Sequence, residues 1–142
     1  MNTLDQQRVA IVHEHMKSEV RLDFDATIAT FKHPHYELFG AGQVFDGEEA
    51  VRAYFAASRR AFPDQGNDII SLRPLEDAVL AEFWLTGTHR GPLKTPQGEL
   101  APTGKTIRVR MAAVFEFEPG GAGIVCERVY FDSAQVLRQL TS

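Results

Sequence analysis

The run His33-Pro34-His35-Tyr36-Glu37 concentrates more chemistry-bearing side chains than any other stretch of the chain. In extended backbone alternate side chains share a face, so His33, His35 and Glu37 project together. Two imidazoles and a carboxylate so arranged can serve as general base, orienting partner and second base, because imidazole titrates near neutrality. The same three groups can hold a divalent metal. They can equally be a solvated turn in which a histidine caps the carbonyls of a preceding helix.

A second set of candidates lies further along. Arg90 follows His89 where a strand meets the long segment Gly91 to Gly104, and a rim arginine can hold a carboxylate or enolate through two parallel hydrogen bonds. Asp132 ends the last strand run and is a candidate acid or base, although as an N-cap ahead of Gln135 it also suits the start of a helix. Tyr54, Trp84, Phe115 and Tyr130 can wall an apolar pocket or simply fill a core. Glu82, Arg108, Arg110, Glu127 and Arg128 fall within strands, where pairs such as Glu82 with Arg110 or Arg110 with Glu127 account for them structurally. His13 and His15 read as ordinary helix positions. Cys126 has no histidine or asparagine near it in sequence and is a poor nucleophile candidate. Neither a nucleophile elbow nor a phosphate-binding glycine loop occurs.

These residues must be positioned by the elements around them. Val9, Val12, His13, Met16 and Val20 recur at three- and four-residue steps, the stripe of an amphipathic helix that Asp5 would cap. A short helix is expected over Asp25 to Phe31, ending before Pro34. His35 to Phe45 reads as two short extended pieces around Gly40 and Gly42. Asp46-Gly47 opens a helix carrying Val51, Tyr54, Phe55, Ser58 and Phe62, which Pro63 stops. Thereafter the period becomes two: 69–75, 78–89, 105–118 and 123–132 are strand runs. In the last run either Val125, Glu127, Val129 and Phe131 or Ile124, Cys126, Arg128, Tyr130 and Asp132 face inward. A short helix from Asp132 with Val136, Leu137 and Leu140 closes the chain.

Helices, then antiparallel strands, then a closing helix describe an α+β fold: helices on one face of a curved sheet, rolled into a cone whose wide end is a pocket. The segment 91–104 is long for a hairpin and could lie over its mouth. At 142 residues a single domain over 1–142 is expected, with enough core to stand without disulfides. Apolar residues are 44% and charged residues 24%, which excludes a disordered chain. A net charge of −4 lends nucleic acid no electrostatic support. One cysteine excludes an internal disulfide and a cysteine zinc cluster. No signal peptide or membrane span is read, so a cytoplasmic protein without membrane partners is the expectation.

The stretches HPHYE (33–37), FDGEEAVRAYF (45–55), AFPD (61–64), GTHRGPL (87–93), PTGK (102–105) and CERVYFDSAQVLRQL (126–140) resemble the SnoaL-like polyketide cyclase group of the NTF2-like (cystatin-like) superfamily, particularly its ester cyclases. The resemblance implies the α+β cone and a hydrophobic small-molecule ligand or substrate. It also implies a homodimer, for which Ala112 and Val114 offer an apolar patch. In the NTF2-like ketosteroid isomerases the base is an aspartate before proline; the matching stretch here is Ala29 to Pro34, and His33 stands at that place. The cyclases use an aspartate late in the sheet, for which Asp132 is the nearest candidate, while Val129 stands three residues earlier.

The resulting expectation is cofactor-free acid/base chemistry beside a carbonyl, of cyclase or isomerase type, with no metal. His33 would be the base, His35 or Glu37 its orienting partner, Asp132 a second acid or base, and Arg90 or Tyr130 donors to the oxyanion. The alternatives are a non-catalytic module that shelters an apolar ligand and an epoxide-hydrolase-type enzyme built around Arg110 and Asp132.

Overall fold

The computed structural model describes residues 1–142. Helix α1 (Thr3–Val20) starts at Asn2, whose side chain accepts from the Asp5 amide, so Asp5 is a first-turn residue and not the cap. Helix α2 (Phe24–Ala29) follows, capped by Asp23. Strands β1 (His35–Leu38) and β2 (Gln43–Asp46) form the expected hairpin. Helix α3 (Glu48–Ala61) begins after Gly47, whose φ of 89° suits glycine. Strands β3 (Gly66–Leu75) and β4 (Ala78–Thr88) come next. The long loop carries its own hairpin, β5 (Leu93–Thr95) with β6 (Gly98–Leu100), where the sequence suggested only loop. Strands β7 (Thr106–Phe117) and β8 (Ile124–Tyr130) lead to α4 (Ser133–Thr141), capped by Asp132 as expected.

Six strands make one curved sheet in the order β2-β1-β8-β7-β4-β3, antiparallel except where β1 runs parallel to β8. Helices α1 and α3 pack across it from the inner side, α1 on β3 and β4 and α3 on β1 and β2, while α4 packs against β7. Between the layers lies one cluster of buried apolar side chains, among them Val12, Val51, Phe55, Val79, Val109 and Phe115.

Register decides which side chains enter that space. Tyr36 sits opposite Glu127, and Leu38 opposite Val129, all four facing inward. A bulge lies between β7 and β8, where Phe117 pairs with Ile124 but Glu116 pairs with Cys126. The extra residue, Val125, lets Ile124 and Glu127 both face inward although they are three positions apart. From Glu127 onward the inward set is therefore Glu127 and Val129, which resolves the choice the alternating pattern left open.

Alternation then sends His35 and Glu37 to the outer face of the sheet, with Asp46 of β2 directly opposite His35. The expectation that the Pro34 bend looks into the hollow is thereby corrected: Tyr36, not its neighbours, takes the inward place on β1.

Candidate functional site

The stripe that α1 turns inward is partly charged. Arg8, Val12, His15, Met16 and Ser18 are its buried residues, and Glu19 lies one turn beyond His15. Hydrophobic periodicity picks out His13, which is exposed, and passes over His15, which is fully buried.

His15 stands at the centre of a polar cluster inside the sheet. Its Nε2 is 2.9 Å from the Tyr36 hydroxyl, 2.8 Å from Glu127 Oε1 and 3.3 Å from Glu19 Oε2. Its Nδ1 is 2.8 Å from Thr30 Oγ1. Thr30 spends its single hydroxyl proton on the Thr27 carbonyl, so it must accept from Nδ1–H. Nδ1 therefore carries a proton, and with the ring's pKa raised to about 9 by the carboxylates beside it Nε2 carries a second, so at neutral pH the ring is an imidazolium that donates to Tyr36. Arg59 of α3 closes the group by pairing with Glu19 at 3.1 Å. The walls are aromatic: Phe31 and Phe115 meet the imidazole edge-on at 5.2 and 5.1 Å.

Burial alone would lower the His15 pKa; the carboxylates of Glu127 and Glu19 beside the ring more than offset this and hold it at about 9. The two carboxyls are driven apart. Burial pushes Glu127 up against the opposing pull of His15. Glu19, although burial acts on it in the same sense, is held down by His15 and Arg59. Burial and the two carboxylates push the Tyr36 hydroxyl well above its ordinary value, so it remains a donor. A pair of carboxyls with opposed shifts around one cation is the arrangement from which acid and base roles emerge.

Glu127 Oε1 lies close to His15 but off the line of its N–H, and it has no hydrogen-bond partner. Arg59 Nε and Asn67 Oδ1 are buried and unpartnered as well. All three side chains reach the same turn of α1, through His15, Glu19 and the Met16 carbonyl respectively. Buried polar atoms are ordinarily satisfied; a fourth unpartnered one, His89 Nε2, lies apart from the cluster beside Phe62.

Of the residues expected from sequence, Tyr54 and Phe115 belong to this inner region; Tyr54 stacks on Phe45 and touches Tyr36. His33, His35 and Glu37 lie together on the outer face, linked through Asp46. Asp132 caps α4 with a side chain 61% exposed, and Arg138 is its ionic partner. Trp84 is on the outer face under the guanidiniums of Arg108 and Arg110, and Tyr130 stacks there on Phe39. Arg90 is exposed on the loop after β4. The pairing of Glu82 with Arg110 is present at 3.4 Å, but Arg110 with Glu127 is not, since Glu127 turns inward and Arg128 takes Glu116 instead. Three groups bring metal-ligating atoms together: the inner His15, Glu19 and Glu127, the outer His33, His35 and Asp46, and His35 and Glu37 with Cys126.

Comparison with known proteins now bears on this architecture. A model of the SnoaL-like polyketide cyclase family matches residues 21–140. The chain belongs to that family. Among solved structures, a protein from Jannaschia sp. CCS1 provisionally assigned as a SnoaL-like polyketide cyclase superposes with a TM-score of 0.87 at 18% identity, covering 100% of this chain and 96% of its own. A provisionally assigned polyketide cyclase from Xanthomonas campestris pv. campestris gives 0.84 at 18% identity, with coverage of 98% and 100%. A protein of ketosteroid isomerase-like fold from Catenulispora acidiphila, solved with trimethylamine, gives 0.75 at 19% identity, with coverage of 92% and 91%. At such identities the likeness establishes the NTF2-like cone. No curated protein matches the chain. For this SnoaL-like protein the inner cluster is the feature the sequence reading missed, and its signal was the pair His15 and Glu19 one helical turn apart, about two turns beyond Arg8. No helix is long and apolar enough to cross a membrane.

Proposed function

We propose that this SnoaL-like protein catalyses proton transfer beside a carbonyl of a hydrophobic small molecule, without a cofactor, and that its inner cluster is the catalytic centre. The observation that carries the reading is the unpartnered, buried Glu127 Oε1 beside the His15–Tyr36 pair.

Glu127 is the general base. A carboxylate whose pKa burial raises toward the working pH is both ionised often enough and basic enough to take an α-proton. The Tyr36 hydroxyl, which accepts from the His15 imidazolium, is the donor to the developing enolate oxygen. Its partnership with a cation strengthens it, and a water-poor surround strengthens it further. Returning the proton from Glu127 to another carbon gives isomerisation; attack of the enolate carbon on a second carbonyl within the same molecule gives ring closure, the proton on Glu127 passing to the new alkoxide oxygen. Glu19, held ionised by Arg59, keeps His15 charged throughout. Aromatic walls from Phe31, Phe45, Tyr54 and Phe115 suit a flat, apolar substrate. Half-buried Tyr54 packs against the Tyr36 ring, and its swing would admit the substrate. The protein works as a homodimer joined through the outer face of β4, β7 and β8, where Trp84, Val114 and Tyr130 lie.

A panel of hydrophobic ketones and β-keto esters in D2O, followed by NMR for deuterium uptake next to the carbonyl, tests this. The wild type is expected to accelerate exchange of at least one compound, and Glu127→Gln to slow it by about a hundredfold or more. Exchange unaffected by Glu127→Gln overturns the assignment. A ligand that stays bound stoichiometrically and unchanged in native mass spectrometry, with no exchange for any compound, supports the sheltering module instead.

A further inference from the structure

The outer face of the β1–β2 hairpin gathers a second set of groups, and the proton-transfer reading uses none of them. Asp46 Oδ1 is 2.7 Å from His33 Nε2 and 2.9 Å from His35 Nδ1. The other nitrogen of His35, Nε2, lies 2.9 Å from Glu37 Oε2. The ligand atoms of His33, His35 and Asp46 all fall within 4.8 Å of one another. We propose that His33, His35 and Asp46 form a binding site for a divalent transition-metal ion such as Zn2+, with Glu37 orienting His35 from behind.

Geometry and chemistry both support three ligands here. Around a tetrahedral zinc ion with bonds of about 2.0–2.1 Å, neighbouring ligand atoms stand about 3.3 Å apart. The observed separations of 2.7 and 2.9 Å need to open by only about half an ångström, which exposed side chains accommodate by small rotations. The ion would replace the protons through which both imidazoles now meet one carboxylate oxygen. His35 already has the second partner that ligating histidines characteristically have, a carboxylate on the nitrogen away from the metal. The backbone holds the three in place. Asp46 is the cross-strand partner of His35, Pro34 stiffens the link between the two histidines, and the Gly47 amide donates to the Pro34 carbonyl. Imidazole with carboxylate donors suits zinc and its neighbours in the first transition row. Three protein ligands leave a coordination position open to water. His33 and Asp46 are 56% and 65% exposed, so an ion has direct access. Sequence spacing could place His33, His35 and Glu37 on one face, but only the hairpin register supplies Asp46.

Untagged protein, stripped with chelator and titrated with ZnCl2 by calorimetry in a non-coordinating buffer, tests the site, with Co2+ absorption reporting the ligand field. One ion per chain with micromolar affinity is expected, and His33→Ala, His35→Ala and Asp46→Ala are each expected to weaken it more than tenfold. Glu37→Gln should weaken it by about tenfold through His35, while His13→Ala and Cys126→Ser leave it unchanged. Circular dichroism on each variant separates loss of ligand from loss of fold, and the substituted positions on the outer face make the fold robust to them. Absence of saturable binding overturns the proposal. So does unaltered affinity in His33→Ala and Asp46→Ala, and so does loss of binding in Cys126→Ser, which would move the ion to Cys126 beside His35 and Glu37. None of these readouts depends on turnover, so failure here leaves the proton-transfer reading standing.

Discussion

Removing the His15 proton should cost this fold a large part of its stability. The ring donates from both nitrogens, to Thr30 and Tyr36, and is flanked by Glu19 on its own helix and Glu127 on β8, with Arg59 of α3 beyond Glu19. Its pKa of about 9 compares with 6.5 for a free histidine. Below pH 6.5 folded and unfolded chains both carry the proton, and the stabilisation is complete. Between 6.5 and about 9 the folded chain keeps a proton the unfolded one has lost, so each rise in pH removes stability; above 9 the contribution is gone. At about 1.4 kcal/mol per pH unit, the full loss is about 3 kcal/mol, against total stabilities of about 5–15 kcal/mol for such domains. Urea unfolding at intervals from pH 6.5 to 9.5 measures it directly, and the melting temperature should fall by about 9 °C over the same range. His35, whose pKa burial opposes but Glu37 and Asp46 raise, contributes a slope of the same sign. Comparison with His15→Asn isolates the His15 share, because the variant retains His35. Parallel slopes in wild type and variant, or a His15 ring that titrates at or below 6.5 by NMR, would refute the assignment of an imidazolium.

Two further predictions concern the frame around the site. Arg8 is buried and ties the turn between β7 and β8, through the Gly121 and Glu118 carbonyls, to Asp77 of the β3–β4 turn, so Arg8→Ala should cost about 3 kcal/mol in urea unfolding and speed amide exchange at 118–123. A Cβ at Gly91 would overlap the Arg60 carbonyl at the end of α3, so Gly91→Ala should lower stability by about 3 kcal/mol, read as a lower urea midpoint.

Much of the frame was legible in the residues. Period-two alternation over 105–118 located β7, and Asp46-Gly47 and Pro63 marked the two ends of α3. The interior chemistry was not, for two reasons. Scoring α1 by hydrophobicity favours Val9, Val12, His13 and Val20, whereas its buried stripe includes Arg8, His15 and Ser18, whose partners come from distant elements. The inward turn of Glu127 depends on a bulge at Val125 that no alternating pattern displays. Without that bulge Glu127 and Ile124 would face opposite sides, and a pairing of Glu127 with Arg110 was the natural reading. The Pro34 bend erred by one residue for a related reason: alternation correctly grouped His33, His35 and Glu37 but carried no information on which side was inside.

If the inner cluster exists for chemistry, it should be a cost to the fold, and that separates function from scaffolding. Burying an ion group takes its charges from water, and apolar side chains of similar size often do better. Breaking one member leaves a worse state than removing all, since the remaining charge loses its partner. His15→Asn alone should therefore destabilise by about 3–5 kcal/mol, leaving Glu127 buried beside a neutral amide. The combination His15→Leu, Tyr36→Phe and Glu127→Leu removes cation, hydroxyl and carboxyl together, while Glu19 retains Arg59 at 3.1 Å. The new side chains would meet Phe31 and Phe115, which already pack against the imidazole. Stability of the triple variant should equal or exceed that of the wild type by urea unfolding, while deuterium exchange into ketones is abolished. Should the triple variant instead be as unstable as the single one, the cluster is part of what holds the cone together, and its charges lose their claim to be there for catalysis.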